Sequence, residues 1–70
     1  MTAPKSYKLA RRYWRARVAG RPLEAEAQRT GVSASQLCQH GKLWPEILDH
    51  IAQSPKRWER EAARALREKL

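Results

Sequence analysis

Apolar positions recur every three or four residues near the start of the chain. Tyr7, Ala10, Trp14 and Val18 fall at that spacing with Tyr13 beside them, while Lys8, Arg11, Arg12, Arg15 and Arg17 take most of the positions between. On a helix that spacing gathers the apolar set into one stripe, so the pattern predicts an amphipathic, basic first helix over about residues 6–19. Ser6 is suited to cap its start, and Gly20 followed by Pro22 marks its end. Residues 1–5 (MTAPK) read as a short disordered tail, and residues 6–70 as one domain.

The punctuation continues downstream. Pro22 favours a first helical turn, and Glu24 and Glu26 sit near the positive end of a second helix predicted over 22–30, which stops at Gly31. Ser33 caps a third helix, 33–40, that carries Leu37 and ends before Gly41. Pro45 opens a fourth, 45–53, with Ile47, Leu48 and Ile51 as its apolar set. Ser54 and Pro55 restart the chain as a fifth, 55–69, on which Trp58, Ala62, Ala65, Leu66 and Leu70 are assigned to one side.

Composition agrees with helices. Val18, Val32, Ile47, Ile51, Thr2 and Thr30 are the only β-branched residues, and Ala, Leu, Arg, Gln, Glu and Lys dominate. The expected fold class is all-α, a small bundle of four to five short helices. Seventy residues support one thin core. Its large members are three Trp, two Tyr, seven Leu and four Val or Ile, with no Phe, which leaves no room for an enclosed substrate pocket. Trp14, Trp44 and Trp58 are assigned to that core rather than to base stacking.

Charge narrows the partners. The net charge is +8, with an isoelectric point near 10.6, which favours polyanions over a merely solvated basic face. No apolar run approaches the ~20 residues of a membrane span, and no secretory signal is visible. The single Cys38 forms no internal disulfide and reads as a small half-buried filler, so a reducing cytoplasm is expected. Cys38, His40 and His50 fall short of a tetrahedral zinc set. No nucleophile, base and orienting acid stand together. A non-enzymatic protein is expected, without cofactor, metal or small-molecule ligand.

The most informative segment is AEAQRTGVSASQLCQHGKLW, residues 25–44. Ala27 is small enough to allow a close crossing, Gly31 four residues later can take positive φ in a turn, and Leu37 six residues further anchors the following helix. Val32 adds a core contact after the turn. The string GVSASQL resembles the Gly-Val-Ser-x-x-x-Leu signature of helix-turn-helix proteins of mobile elements: transposase-associated proteins and phage or plasmid regulators. The resemblance covers about twenty of the seventy residues. It implies a helix-turn-helix within the bundle and sequence-specific binding of double-stranded DNA, as a transcriptional regulator or a recombination accessory factor located at the nucleoid.

Three positions depart from that pattern: Glu26 and Thr30, where apolar residues are usual, and His40 in place of a late apolar anchor. Leu23, Leu43 and Trp44 are the candidates to replace their contacts. A second register also fits, with Gly41 as the turn and Pro45 to Ile51 as the reading helix; it resembles a Cys-x-x-His-Gly variant of some transposase accessory proteins, although only one residue separates Cys38 from His40 here. Glu46 and Asp49 would then face phosphate, so the Gly31 register is preferred.

In that register Ser33, Ser35, Gln36, Gln39 and His40 are the candidate base contacts, because Gln pairs bidentately with adenine and Ser donates or accepts at any base. Arg11, Arg12, Arg15, Arg21, Arg29 and Lys42 are the candidate phosphate contacts. A second reading keeps the scaffold but turns its surface to an acidic protein partner, and RNA binding by the basic first helix is a third. A homodimer through the Ala-rich seam of the fifth helix is left open.

Overall fold

A computed structural model describes residues 3–69 and contains five helices: α1 (Lys5–Ala19), α2 (Leu23–Thr30), α3 (Ala34–Leu43), α4 (Glu46–Ile51) and α5 (Arg57–Glu68). No strand occurs among the described residues. The protein is an all-α bundle.

α1 is the spine. It packs against each of the other four helices, whereas α2 otherwise meets only α3, and α4 otherwise meets only α5. The α2–α3 pair and the α4–α5 pair therefore lie on different sides of α1. The reason is in the sequence of α1: Leu9, Ala10, Tyr13, Trp14, Ala16 and Val18 are all buried, and at 100° per residue they cover more than half of the helix circumference. Leu37 from α3, Ile47, Leu48 and Ile51 from α4 and Ala63 from α5 complete the core, with Leu23, Ala27 and Val32 packed on its edge.

The helix ends follow local chemistry, with two exceptions. α1 starts at Lys5 behind Pro4, so the predicted tail is already helical at its last residue. Ser6 is not its cap. Its Oγ lies 3.0 Å from His40 Nδ1 and accepts from Trp44 Nε1 at 3.0 Å. Residues 1 and 2, which the sequence assigned to the tail, and Leu70, assigned to the fifth-helix stripe, lie outside the described residues. At the other end of α1, Gly20 takes φ +71° and the Arg21 N–H reaches back to the Ala16 carbonyl at 2.9 Å. Gly31 likewise takes φ +73° and its N–H returns to Ala27 at 2.9 Å.

The second exception is Gly41. It does not stop α3, which runs on to Leu43 and ends at Trp44 and Pro45. Gly41 is buried inside the helix because the ring of Tyr13 lies where its side chain would be. The Trp14 indole N–H also donates to the Gly41 carbonyl at 2.9 Å. Absence of a side chain is used here for close helix approach, not for backbone freedom. With Gly41 inside a helix, the alternative register with its turn at that residue is not the one adopted.

Trp58 corrects a second expectation. It is 54% exposed and does not close the core, and Ala65 is exposed as well. The inward side of α5 is Glu59, Ala62, Ala63 and Leu66, a rotation of one residue from the expected stripe. The corner before α5 sets that rotation. Glu59 accepts from Ser54 Oγ at 3.1 Å, and Arg60 Nη1 donates to the carbonyls of Ser54 and Pro55 at 2.9 and 3.0 Å. Turning Trp58 inward would carry Glu59 away from Ser54 and Arg15 and break the Arg60 bonds that hold the corner.

One consequence of the turn at Gly31 can be measured directly. A Cβ at Gly31 meets nothing within 4 Å, so substitution there adds strain without collision. Gly31→Val is expected to lower stability by about 1–2 kcal/mol through the left-handed backbone alone. Chemical denaturation checks this, and an unchanged midpoint would mean that the turn relaxes at no cost.

Candidate nucleic-acid interface

The three positions that depart from the usual apolar pattern are each satisfied by a polar contact. Glu26 is 4% exposed, and its carboxylate receives Arg12 at 3.7 Å and Arg21 at 3.6 Å. Thr30 Oγ1 donates to the Glu26 carbonyl at 2.9 Å and accepts from the Val32 N–H at 3.3 Å, which ties the end of α2 to the turn. His40 is half-buried against Ser6 at the start of α1. Leu23 and Trp44 pack on the core edge as expected, and Trp44 meets Tyr7 edge-on at 5.2 Å. Leu43 does not join them: it is 67% exposed.

α3 and α1 run antiparallel, since Ser6 and Tyr7 meet His40 and Trp44 while Tyr13 meets Cys38 and Gly41. This leaves Ser35, Gln36, Gln39, Lys42 and Leu43 on the outward side of α3, all exposed. Among the expected base contacts, Ser35 and Gln39 are exposed with no hydrogen-bonded side chain among the described residues. Ser33 and Gln36 are exposed but paired in a capping box. Ser33 Oγ accepts from the Gln36 N–H at 3.2 Å and the Gln36 side chain accepts from the Ser33 N–H at 3.4 Å. His40 turns inward to Ser6 and leaves the outward face. The sequence misplaced it because its partner lies 34 residues away.

The expected phosphate contacts divide between two faces. Helical geometry puts Lys8, Arg11, Arg12 and Arg15 on the side of α1 roughly 180° from Ser6, Tyr13 and Arg17, and it is the latter side that faces α3. Arg15 leans on the buried Glu59 of α5 at 3.8 Å, and Arg12 on Glu26 of α2. Arg11 and Arg15 border a surface groove with Tyr7, His50, Gln53 and Glu59. Arg29 is exposed in the last turn of α2, and Arg21, ahead of α2, shares the Glu26 carboxylate with Arg12, while the face around α3 retains Lys42. It gains Arg17, whose guanidinium sits 5.9 Å over the Tyr13 ring. Arg17 was missed as a site residue because its side of α1 is fixed only by where α3 packs. Lys8 was legible at spacings of three, four and seven from Arg11, Arg12 and Arg15.

The charge is unevenly distributed along the chain. Residues 1–23 hold seven of the fifteen Lys and Arg and none of the seven Asp and Glu, which places +7 of the net +8 in that segment. α3 also contains no carboxylate. Two ion pairs lie wholly outside that segment: Arg57 with Glu61 at 2.9 Å, and Arg67 with Asp49.

The Tyr13 phenol is held above its ordinary titration range by burial and by the contact with the Cys38 thiol, with Arg17 opposing. It stays neutral at physiological pH and acts as a packing group. Among the described residues no three His, Cys, Asp or Glu are grouped to hold a metal ion. No helix among them is long and apolar enough to cross a membrane. In comparison with known proteins, the chain matches no family model, no curated protein and no solved structure.

Proposed function

We propose that the protein binds double-stranded DNA, with α2, the Gly31 turn and α3 acting as a helix-turn-helix and α3 as the reading helix. The observation that carries this is the outward side of α3. It is free of carboxylates, it presents Ser35, Gln36, Gln39 and Lys42, and Arg17 lies at its border over the Tyr13 ring. Neutral hydrogen-bonding side chains between cations suit base edges flanked by phosphates. In this reading Gln39 and Ser35 contact bases, and Leu43 can meet a thymine methyl. Lys42, Arg29, Arg21 and Arg17 hold the backbone. A role as regulator or recombination accessory factor at the nucleoid belongs to the same reading.

Gln39 is the cleanest probe, because truncating Gln36 would also break the cap of α3. With a site selected from random duplexes, Gln39→Ala is expected to lose about 1–3 kcal/mol on that site and nothing on random DNA. Arg29→Ala should weaken all duplexes alike and make the salt slope shallower by about 0.9. Fluorescence titration at two salt concentrations measures both. Absence of binding at low salt, or a Gln39→Ala variant that matches the parent on both duplexes, overturns the assignment. In either case Leu43, an exposed apolar side chain beside Lys42, would instead favour an acidic protein partner on the same face.

A further inference from the structure

The outward stripe of α1 is left unused by a reading helix that faces the other way. We propose that Lys8, Arg11, Arg12 and Arg15 form a second site, which holds the phosphate backbone of a separate DNA duplex, so that one copy of the protein bridges two duplexes. The inference rests on the DNA reading of α3.

Three observations support it. First, Lys8, Arg11 and Arg15 lie on the side of α1 turned away from α3, opposite Arg17 and Lys42, in a molecule of 30 × 30 × 20 Å, and only Arg12 and Arg21 approach each other, at Glu26 between the two faces. DNA is stiff over ~150 bp, so one duplex cannot turn about such a body to reach both faces. Second, the stripe is built for phosphate and not for lipid. The four cations span a helical rise of roughly 10 Å, over which a duplex presents about six phosphates. Of the large apolar residues of α1, Leu9, Tyr13, Trp14 and Val18 are buried and Tyr7 is half-buried against Trp44, so no fully exposed apolar side chain is left to insert into a membrane interface.

Third, two of the guanidiniums are held in place. Glu26 of α2 and Glu59 of α5 are buried carboxylates, on either flank of the stripe, at 3.7 Å from Arg12 and 3.8 Å from Arg15. The two arginine side chains nonetheless remain 53% and 49% exposed. The contact is made by one guanidinium nitrogen, Nη1, of each, so the group is positioned on one side while the other stays open to phosphate, which reduces the ordering needed to grip it. Lys8 and Arg11 are exposed and have no carboxylate partner among the described residues.

The test is a capture assay. A short biotinylated duplex carrying the selected site is fixed to beads, and an unlinked fluorescent duplex of random sequence is retained only if the protein joins the two. Wild-type protein is expected to retain the second duplex. Retention should rise and then fall with protein concentration, as excess protein fills each duplex separately. Lys8→Glu/Arg11→Glu should cut retention about tenfold or more while changing affinity for the selected site less than about threefold. Circular dichroism verifies its fold, and Lys8→Gln/Arg11→Gln is a milder second variant.

Wild-type protein that binds the selected site but retains no second duplex overturns the bridging site alone and leaves the reading of α3 standing. Retention that survives in the Glu variant also overturns it, because two copies must then be joined elsewhere. If the Glu variant loses affinity for the selected site as well, α1 is the sole DNA face and both assignments fail. Poly-glutamate that displaces the second duplex better than DNA of equal charge would make the stripe a protein-binding face, against the proposal.

Discussion

Trp14→Ala is expected to leave the chain largely unfolded at room temperature. Trp14 is 3% exposed at the centre of α1, the helix on which every other helix packs. Its ring lies edge-on to Tyr13 at 4.8 Å, and its indole N–H donates to the Gly41 carbonyl at 2.9 Å. Truncating a buried Trp costs about 3–5 kcal/mol. A domain of this size, with a single cysteine and no metal-holding cluster among its described residues, holds roughly 5 kcal/mol in all. Lost helical circular dichroism and collapsed amide dispersion would record the unfolding. Native dispersion in the variant would mean that the α1–α3 contact stands without its central side chain.

Gly41→Val is the second large effect, and it acts through a different cause. A Cβ at Gly41 would fall within the Tyr13 ring, 2.7 Å from Cε1 and 2.9 Å from Cγ. The ring cannot swing aside, because Tyr13 is itself buried, packed against Trp14, and within 3.7 Å of the Cys38 thiol. α3 must move off α1 instead, which also breaks the Trp14 hydrogen bond. Overpacking of this kind costs about 3 kcal/mol. Gly41→Ala is the sharper control. At an ordinary exposed helical site it would stabilise by about 1 kcal/mol through propensity, whereas here it is expected to destabilise. In a Tyr13→Ala background the Gly41→Ala cost should largely vanish, a coupling that a double-mutant cycle in denaturant measures. Additive costs would show that the ring does not require the glycine.

The assignment of each expected site residue turned on how far its partner lies along the chain. Ser33 as cap of α3 was legible because a cap bonds within three residues of itself, and Gln36 lies within that distance. The capping box went unread although Ser33 and Gln36 have its spacing. Helical spacing assigns His40 as a base contact at the edge of the outward face, while the Ser6 hydroxyl that turns it inward enters from another helix. Glu26 looked like a flaw in the packing of the motif. Its burial is tolerable only because Arg12 and Arg21 converge on it from α1 and the loop behind.

The sequence by itself determined the helical class, the left-handed glycine stops of α1 and α2, and the burial of Trp14, Leu37, Ile47, Leu48 and Ile51, because propensity, turn chemistry and 3.6-residue periodicity act over less than two turns. Only the tertiary structure decided which way each helix rotates about its own axis. A glutamate anchored by Ser54 and Arg15 turned Trp58 out to solvent, and the Tyr13 ring carried α3 through Gly41 instead of ending it there. The packing of α3 on one side of α1 also parted a single run of cations into two faces. A charge pattern counts residues around a helix but does not say where the next helix will lie. That position is set by complementary surfaces far apart in the chain, and here it separates the side chains assigned to bases from half of those expected at phosphates.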